Sequence, residues 1–208
     1  MAATRTPKPR TAVIGVGGGI AAYKAAFLVR CLRKHGWVVH VVPTEASLEF
    51  VGAATWRELS ENPVAAGVFD AAGPGHIRLA READLIVVAP ATADLLARLR
   101  AGFANDLLTA TILASSAPIL LAPAMHTRMW ENPATQENVG VLQDRGMNVL
   151  LPEVGDLSSG DTGFGRLPDP ERICAATLDL WSAGEAANTL RGRHVVITAG
   201  GTQEPLDP

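Results

Sequence analysis

The sequence is poor in cysteine and tyrosine, with two of the first and one of the second, and its aromatic content is only 5%. Two cysteines, Cys31 and Cys174, cannot build the disulfide framework that staples small secreted domains. Each falls in an apolar helical pattern, which predicts free buried thiols and a reducing compartment. Long apolar runs are also lacking. Near the N-terminus the apolar pattern is broken by Gly17, Gly18, Gly19 and Lys24, so it does not read as a signal peptide. No run approaches the roughly 18 residues of a membrane span. The expected location is cytoplasmic, with no membrane partner. Neither sign of charge dominates: 18 Lys+Arg face 21 Asp+Glu, a net charge of −3 at pH 7. That balance gives no large positive field to hold nucleic acid, and the basic stretch at 4–10 is only a short arm. There are no internal repeats or low-complexity tracts. The five histidines suggest no metal site. With no Gly-x-Ser-x-Gly elbow, serine hydrolysis has no support.

What is present is a globular composition, 48% hydrophobic and 19% charged over 208 residues, enough for one domain with a real core. Short apolar runs at 10–15, 37–43, 84–89, 118–122 and 148–151 read as buried strands, those at 84–89 and 118–122 stopped by Pro90 and Pro123. Between them, helical spacing covers 20–35, 93–100, 107–115 and 135–145, with Gly36 closing the first. Residues 155–170, rich in Gly, Ser, Asp and Pro, read as a loop. A helix follows over 169–183, capped by Asp169 with Pro170 at its first position, and a last strand over 193–199. Strands alternating with helices predict an α/β fold, a Rossmann-like doubly wound parallel sheet covered on both faces. Ligands in such sheets sit at the carboxyl ends of the strands. Here those ends carry Gly17–Gly19, Pro43-Thr44, Pro90–Thr92 and the segment 123–130.

The glycine turn before Ile20 lets backbone approach a phosphate at a helix N-terminus, though a tight turn with no ligand has the same composition. A nicotinamide fingerprint fits poorly, because Ile20 takes the third glycine position and Pro43-Thr44 stands where an acidic ribose ligand is expected. Thr44 and Ser47 suit a phosphate better. His76 follows Gly73-Pro74-Gly75 at the start of a helix, as a base, a cap or a surface residue. The segment 123–130 holds Met125, Met129 and Trp130, either a plug for the core or a lid over a flat aromatic cofactor.

Five ordered motifs carry a family resemblance: Gly-Gly-Ile-Ala-Ala-Tyr-Lys at 18–24, His76-Ile77, Ala-Pro-Ala-Thr-Ala at 89–93, Leu-Leu-Thr at 107–109 and Pro-Ala-Met-x-x-x-Met-Trp at 123–130. Over residues 10–183 the chain resembles the homo-oligomeric flavin-containing cysteine decarboxylases. That family holds the phosphopantothenoylcysteine and the lantibiotic-type peptidyl-cysteine enzymes. The resemblance implies a flavodoxin-like flavoprotein and FMN as cofactor. It implies FMN contacts at Gly18, Gly19, Ile20 and Thr44 for the phosphate, and at Thr92, Ala93, Asp94 and Ala124. It implies His76 as the essential base and the 123–130 loop, with Met125, His126, Met129 and Trp130, as the substrate-carboxylate site. It also implies a trimer or dodecamer with the flavin at a subunit boundary. In the family's chemistry a hydride passes from the cysteine β-carbon to the flavin, CO2 leaves the resulting thioaldehyde, and an enethiol remains. Histidine as a residue type titrates near neutrality, which suits a base.

The chain departs from the pattern in three places. His126 replaces the family's Asn, and an imidazole can still donate to a carboxylate. Gly17 replaces a Ser at the flavin turn. Ser159, within Leu157–Asp161, stands in the stretch that carries a proton-donating Cys in the phosphopantothenoylcysteine enzymes. Without that thiol the expected product is an enethiol. This favours a peptide ending in cysteine, from a natural-product pathway, as substrate. Decarboxylation of 4'-phosphopantothenoylcysteine for coenzyme A is the alternative, and a non-catalytic flavoprotein subunit is another. Residues 193–208 resemble the opening strand of a phosphopantothenoylcysteine ligase domain. The expected layout is an arm at 1–9, a flavin-binding domain at 10–185, and a linker with a ligase-like strand at 186–208.

Overall fold

A computed structural model describes residues 9–67, 75–156 and 162–188. The expected strand at 193–199, the ligase-like tail and Ser159 lie outside these. Five strands form one parallel sheet: β1 (Thr11–Val16), β2 (Val38–Pro43), β3 (Leu85–Ala91), β4 (Ile119–Pro123) and β5 (Asn148–Val149), in the order β2-β1-β3-β4-β5. This is the doubly wound α/β fold the sequence predicts. The strand order reverses between β1 and β3, and at such a switch point the flanking connections leave on opposite faces and open a crevice.

The alternating side chains of the strands build two cores. Ala12, Ile14, Val39, Val41, Leu85, Val87, Leu120 and Ala122 face one way, against α1 (Ala25–Lys34), α3 (Ala53–Ser60) and α9 (Pro170–Asn188). Val13, Ile86, Val88, Ile119 and Leu121 face the other way, against α4 (Gly75–Glu82), α5 (Ala93–Ala101), α6 (Leu107–Ala114) and α8 (Pro133–Asp144). With helices on both faces, these strands need apolar residues at consecutive positions, which is why they read as unbroken runs. Helix α6 is buried at each position from Leu107 to Ile112, as expected of a helix enclosed by its neighbours.

Four sequence expectations change. The segment from Ile20 opens with a 3-10 turn, Ile20–Lys24, before α1. Pro90 does not stop β3. It sits within it, after a cis peptide bond, where the register against β4 shifts between Val88 and Ala91. The expected loop at 155–170 takes in the end of β6 (Glu153–Asp156) and all of β7 (Thr162–Arg166), an antiparallel pair. Its glycine content hid the pairing, since Gly weakens a strand signal without forbidding the strand. Last, Cys31 and Cys174 are not free thiols: they form a disulfide joining α1 to α9. The inference of a reducing compartment, which rested on free thiols, loses that ground. Among the described residues no helix is long and apolar enough to cross a membrane.

Leu108 is fully buried between the sheet and the helices of the second core. Leu108→Ala is expected to lower the unfolding free energy by about 2–5 kcal/mol, through lost transfer energy and the cavity left behind. Urea denaturation followed by circular dichroism measures this.

Candidate cofactor and substrate site

The carboxyl ends of β1 to β4 open on a cavity of about 1460 Å³, large against the roughly 300–1,000 Å³ common for a single small ligand. Its floor is the turn after β1. The Gly17 N–H donates to the Pro90 carbonyl at 3.0 Å. A Cβ on Gly17 would lie 2.5 Å from that oxygen, and one on Gly18 would lie 2.5 Å from the Ala46 Cβ. The backbone is therefore wedged between β3 and α2 (Glu45–Leu48), with no room for side chains. Gly19 is extended and leads into the 3-10 turn, whose first N–H groups have no intrahelical partner. Thr44, at the end of β2, caps α2: its hydroxyl donates to the Val16 carbonyl at 3.1 Å and accepts the Ser47 N–H.

Most of the residues expected to hold a cofactor meet here. Gly18, Gly19, Ile20, Thr44, Thr92, Ala93, Asp94 and Ala124 all line the cavity. Gly17 and Ser47 do not. Gly17 holds the turn against β3, and Ser47 is fully buried with its hydroxyl donating to the Thr44 carbonyl at 2.8 Å. Their place is behind the wall, where they set the shape of the turn.

The second wall comes from β4 and the hairpin. Ala124 N–H donates to the Ala91 carbonyl, and Met125 N–H to the Gly165 carbonyl, so β7 is tied over the end of β4. Met125, His126 and Met129 line the cavity, and Met129 is largely exposed. His126 caps α7 (Thr127–Trp130): its Nδ1 accepts the Arg128 N–H at 3.2 Å. An accepting Nδ1 puts the neutral ring's proton on Nε2, so the ring is a hydrogen-bond donor through that atom. Trp130, expected at the substrate, is instead buried against Phe164 of β7, ring centroids 5.9 Å apart. It is the core plug of the two readings, and it anchors the hairpin. Ser159 lies outside the described residues. His76, on α4, is not among the cavity-lining residues; its Nδ1 is buried with no hydrogen-bond partner among the described residues.

A polar network in the wall escaped the sequence reading. Arg98 bonds Asp94 at 3.0 Å and Asp106 at 2.6 Å, and all three residues line the cavity. Asp106 also caps α6, accepting the Thr109 N–H and hydroxyl at 2.7 Å. Burial alone would raise the Asp106 pKa, but the Thr109 N–H, the Arg98 guanidinium and the Thr109 hydroxyl together carry it below the ordinary carboxylate range. Burial would likewise lower the Arg98 pKa, and Asp106 holds it above its usual value. The spacing of Asp94 and Arg98 at i, i+4 is the signal that could have exposed part of this network. On the far side Lys24 donates to the Leu167 carbonyl at 3.1 Å and to Asp169 at 3.3 Å, and Lys24 holds the exposed Asp169 carboxyl below its usual range.

Two features suit a flavin mononucleotide. A side-chain-free turn at a helix N-terminus suits a phosphate, and Ile20, Ala21, Ala93, Ala124 and Met125 offer apolar walls to a flat ring. Because the Asp106 pKa is depressed on folding, its contribution to stability is full above the ordinary carboxylate range and is lost as pH falls through the depressed value. Asp106→Asn is expected to destabilise the protein by about 1–3 kcal/mol at neutral pH. That deficit should shrink on acidification, as measured by denaturation of both proteins across pH.

The profile of the flavoprotein family matches residues 2–182. Over 198 residues the chain is 55% identical to the coenzyme A biosynthesis bifunctional protein CoaBC of Mycolicibacterium smegmatis, covering 94% of this chain and 48% of that protein. The chain thus spans about half the length of the curated relatives it matches. Among solved structures, a mutant PPC decarboxylase complexed with pantothenoylaminoethenethiol superposes with a TM-score of 0.76 at 29% identity, over 84% of this chain and all of that one. The FMN-dependent cysteine decarboxylase SpaF superposes with a TM-score of 0.72 at 28% identity, over 83% of this chain and 97% of that one. With the family profile spanning residues 2–182, the chain belongs to the flavoprotein family.

Proposed function

We propose that the chain binds FMN and decarboxylates the cysteine carboxylate of 4'-phosphopantothenoylcysteine. One observation carries the flavin reading: a turn with no room for a Cβ at Gly17 or Gly18, set at a helix N-terminus on the floor of a cavity with apolar walls. The substrate rests on the CoaBC relative at 55% identity. The sequence reading favoured a peptide ending in cysteine because Ser159 stands where a thiol is expected. That likeness now favours the coenzyme A precursor, an intracellular metabolite, and with it the cytoplasm.

Bound FMN would accept a hydride from the cysteine β-carbon. Gly18, Gly19, Ile20 and Thr44 would hold its phosphate by backbone N–H groups and the hydroxyl, while Thr92, Ala93, Asp94 and Ala124 flank the ring. His126 donates through Nε2 to the substrate carboxylate, with Met125 and Met129 shielding it from water. His76 takes the substrate thiol proton. It belongs to no wall of this chain's own cavity, so the reading requires it to reach a neighbouring subunit's cavity. The exposed Ile20, Tyr23 and Phe27, at i, i+3 and i+7 along the 3-10 turn and α1, form the apolar seam for such a subunit. The number of subunits stays with the family's trimer or dodecamer.

The test is mass spectrometry of the product together with the absorbance of the purified protein. A flavin spectrum and loss of CO2 from 4'-phosphopantothenoylcysteine are expected. Turnover of a cysteine-ending peptide alone would restore the peptide reading, and a colourless protein that refuses FMN would end both. His76→Asn should keep the flavin spectrum and lower turnover by about 10²–10⁴-fold. Gly18→Val should lose the flavin. If the site is shared, mixing these two variant chains restores turnover that neither has alone; equal inactivity of the mixture would place His76 in its own chain's site.

A further inference from the structure

Outside the cavity, one cluster of reactive side chains has no part in the reading above. Cys31, in the last turn of α1, is bonded to Cys174 in the second turn of α9, 143 residues away, with Cα atoms 6.5 Å apart. His35, one turn beyond Cys31, places Nδ1 3.9 Å from the Cys31 sulfur and 2.9 Å from the Cys31 carbonyl oxygen. Cys31 is half-buried, His35 is exposed and Cys174 is 2% exposed. The chain contains only these two cysteines, so all its thiol chemistry falls at this one place.

We propose that Cys31 is a site of reversible thiol modification and that Cys174 is its resolving partner, so that the α1–α9 staple closes and opens by exchange with a low-molecular-weight disulfide. The two sulfurs differ in the required way. Cys31 lies at the surface, where a small disulfide can reach it. Arg30 and Lys34 adjoin it along α1, and nearby positive charge favours a thiolate. Cys174 is buried in the core, with the Cys31 sulfur and the His35 ring as its neighbours. In the reduced chain the Cys31 thiol yields its proton to water, and its thiolate attacks RS–SR. A Cys31–SR bond forms and one RS⁻ leaves. The Cys174 thiolate then attacks the Cys31 sulfur, breaks that bond and expels the second RS⁻. The two protons from the cysteines pass to the two leaving thiolates. The protein loses two electrons and two protons, and the small disulfide gains them.

The staple sits midway along a seam. At one end Lys24 holds Leu167 and Asp169; at the other Trp37 packs edge-on to Trp181 at 5.3 Å, with Arg10 over the Trp181 ring. Lys24 and Leu167 also line the cavity. Oxidation therefore fixes α9 to the helix that follows the floor turn and its 3-10 segment. The inference does not depend on the identity of the substrate.

The experiment uses the full chain in glutathione buffers of graded ratio, quenched by alkylation and read by intact mass. As glutathione disulfide rises, the protein should pass from two alkyl groups to none. Cys174→Ser should trap one glutathione on Cys31. Cys31→Ser should leave Cys174 with little or none. The oxidised protein should melt at a higher temperature than the reduced one and resist proteolysis within α9. Two results would overturn the proposal. The first is a Cys174→Ser protein that takes up no glutathione. The second is reduced protein that holds one equivalent of zinc, blocks alkylation and loses both properties in His35→Ala, which would make Cys31, His35 and Cys174 a metal site instead.

Discussion

The site depends on how closely the chain approaches itself after β1. Gly17 and Gly18 run between the Pro90 carbonyl and Ala46 at separations that leave no space for a Cβ. That contact fixes three things together. It joins the end of β1 to β3 through the Gly17–Pro90 hydrogen bond, sets α2 beside the turn through Ala46, and directs the start of the 3-10 turn into the cavity. Thr44 adds a second tie, bonding the Val16 carbonyl by both N–H and hydroxyl. A phosphate site made of backbone needs its N–H groups fixed in position before the ligand arrives. Here the sheet and the wedge fix them.

Around that floor the walls divide by chemistry. The α5–α6 side carries Arg98 between Asp94 and Asp106, with Asp106 also capping α6. The partly buried charges of Arg98 and Asp106 are tolerated there because each has a partner and hydrogen bonds. The β4–hairpin side is apolar at Met125 and polar at His126, whose ring is oriented by its own cap bond. Trp130 and Phe164 meet with tilted rings and join α7 to β7. A hairpin with exposed Val154 and its partner strand would be marginal alone; Met125–Gly165 pairing and the Trp130 contact secure it. The two walls thus bring together an anchored charge network and a less deeply embedded flap, an arrangement suited to a rigid cofactor and a substrate that must enter and leave.

The sheet and most of its helices were legible because strands covered on both faces must be apolar at consecutive positions and the helices between them carry apolar residues at helical spacing; α7, a single turn at Thr127–Trp130, was not. The glycine turn, Thr92–Asp94 and Met125–Met129 were legible for a related reason: side chains at the carboxyl edge of a parallel sheet meet wherever their strands end. Eight of the residues that the family resemblance implied for the cofactor line the cavity.

Tertiary structure decided what depends on separations across the chain that no local pattern encodes. It sent Trp130 inward to Phe164 and Ser47 behind Thr44, since burial is set by the element packed opposite. It set His76 apart from its own chain's cavity. It paired β6 with β7 despite their glycines, and it brought Cys174 over Cys31 and His35, where two apolar helical patterns had suggested separate buried thiols. By itself the sequence determined a doubly wound sheet with a phosphate-ready edge, because strand burial and glycine turns are local consequences of residue type. Which side chains face that edge, and which sulfur meets which, came only when distant helices packed, because those contacts exist only in three dimensions.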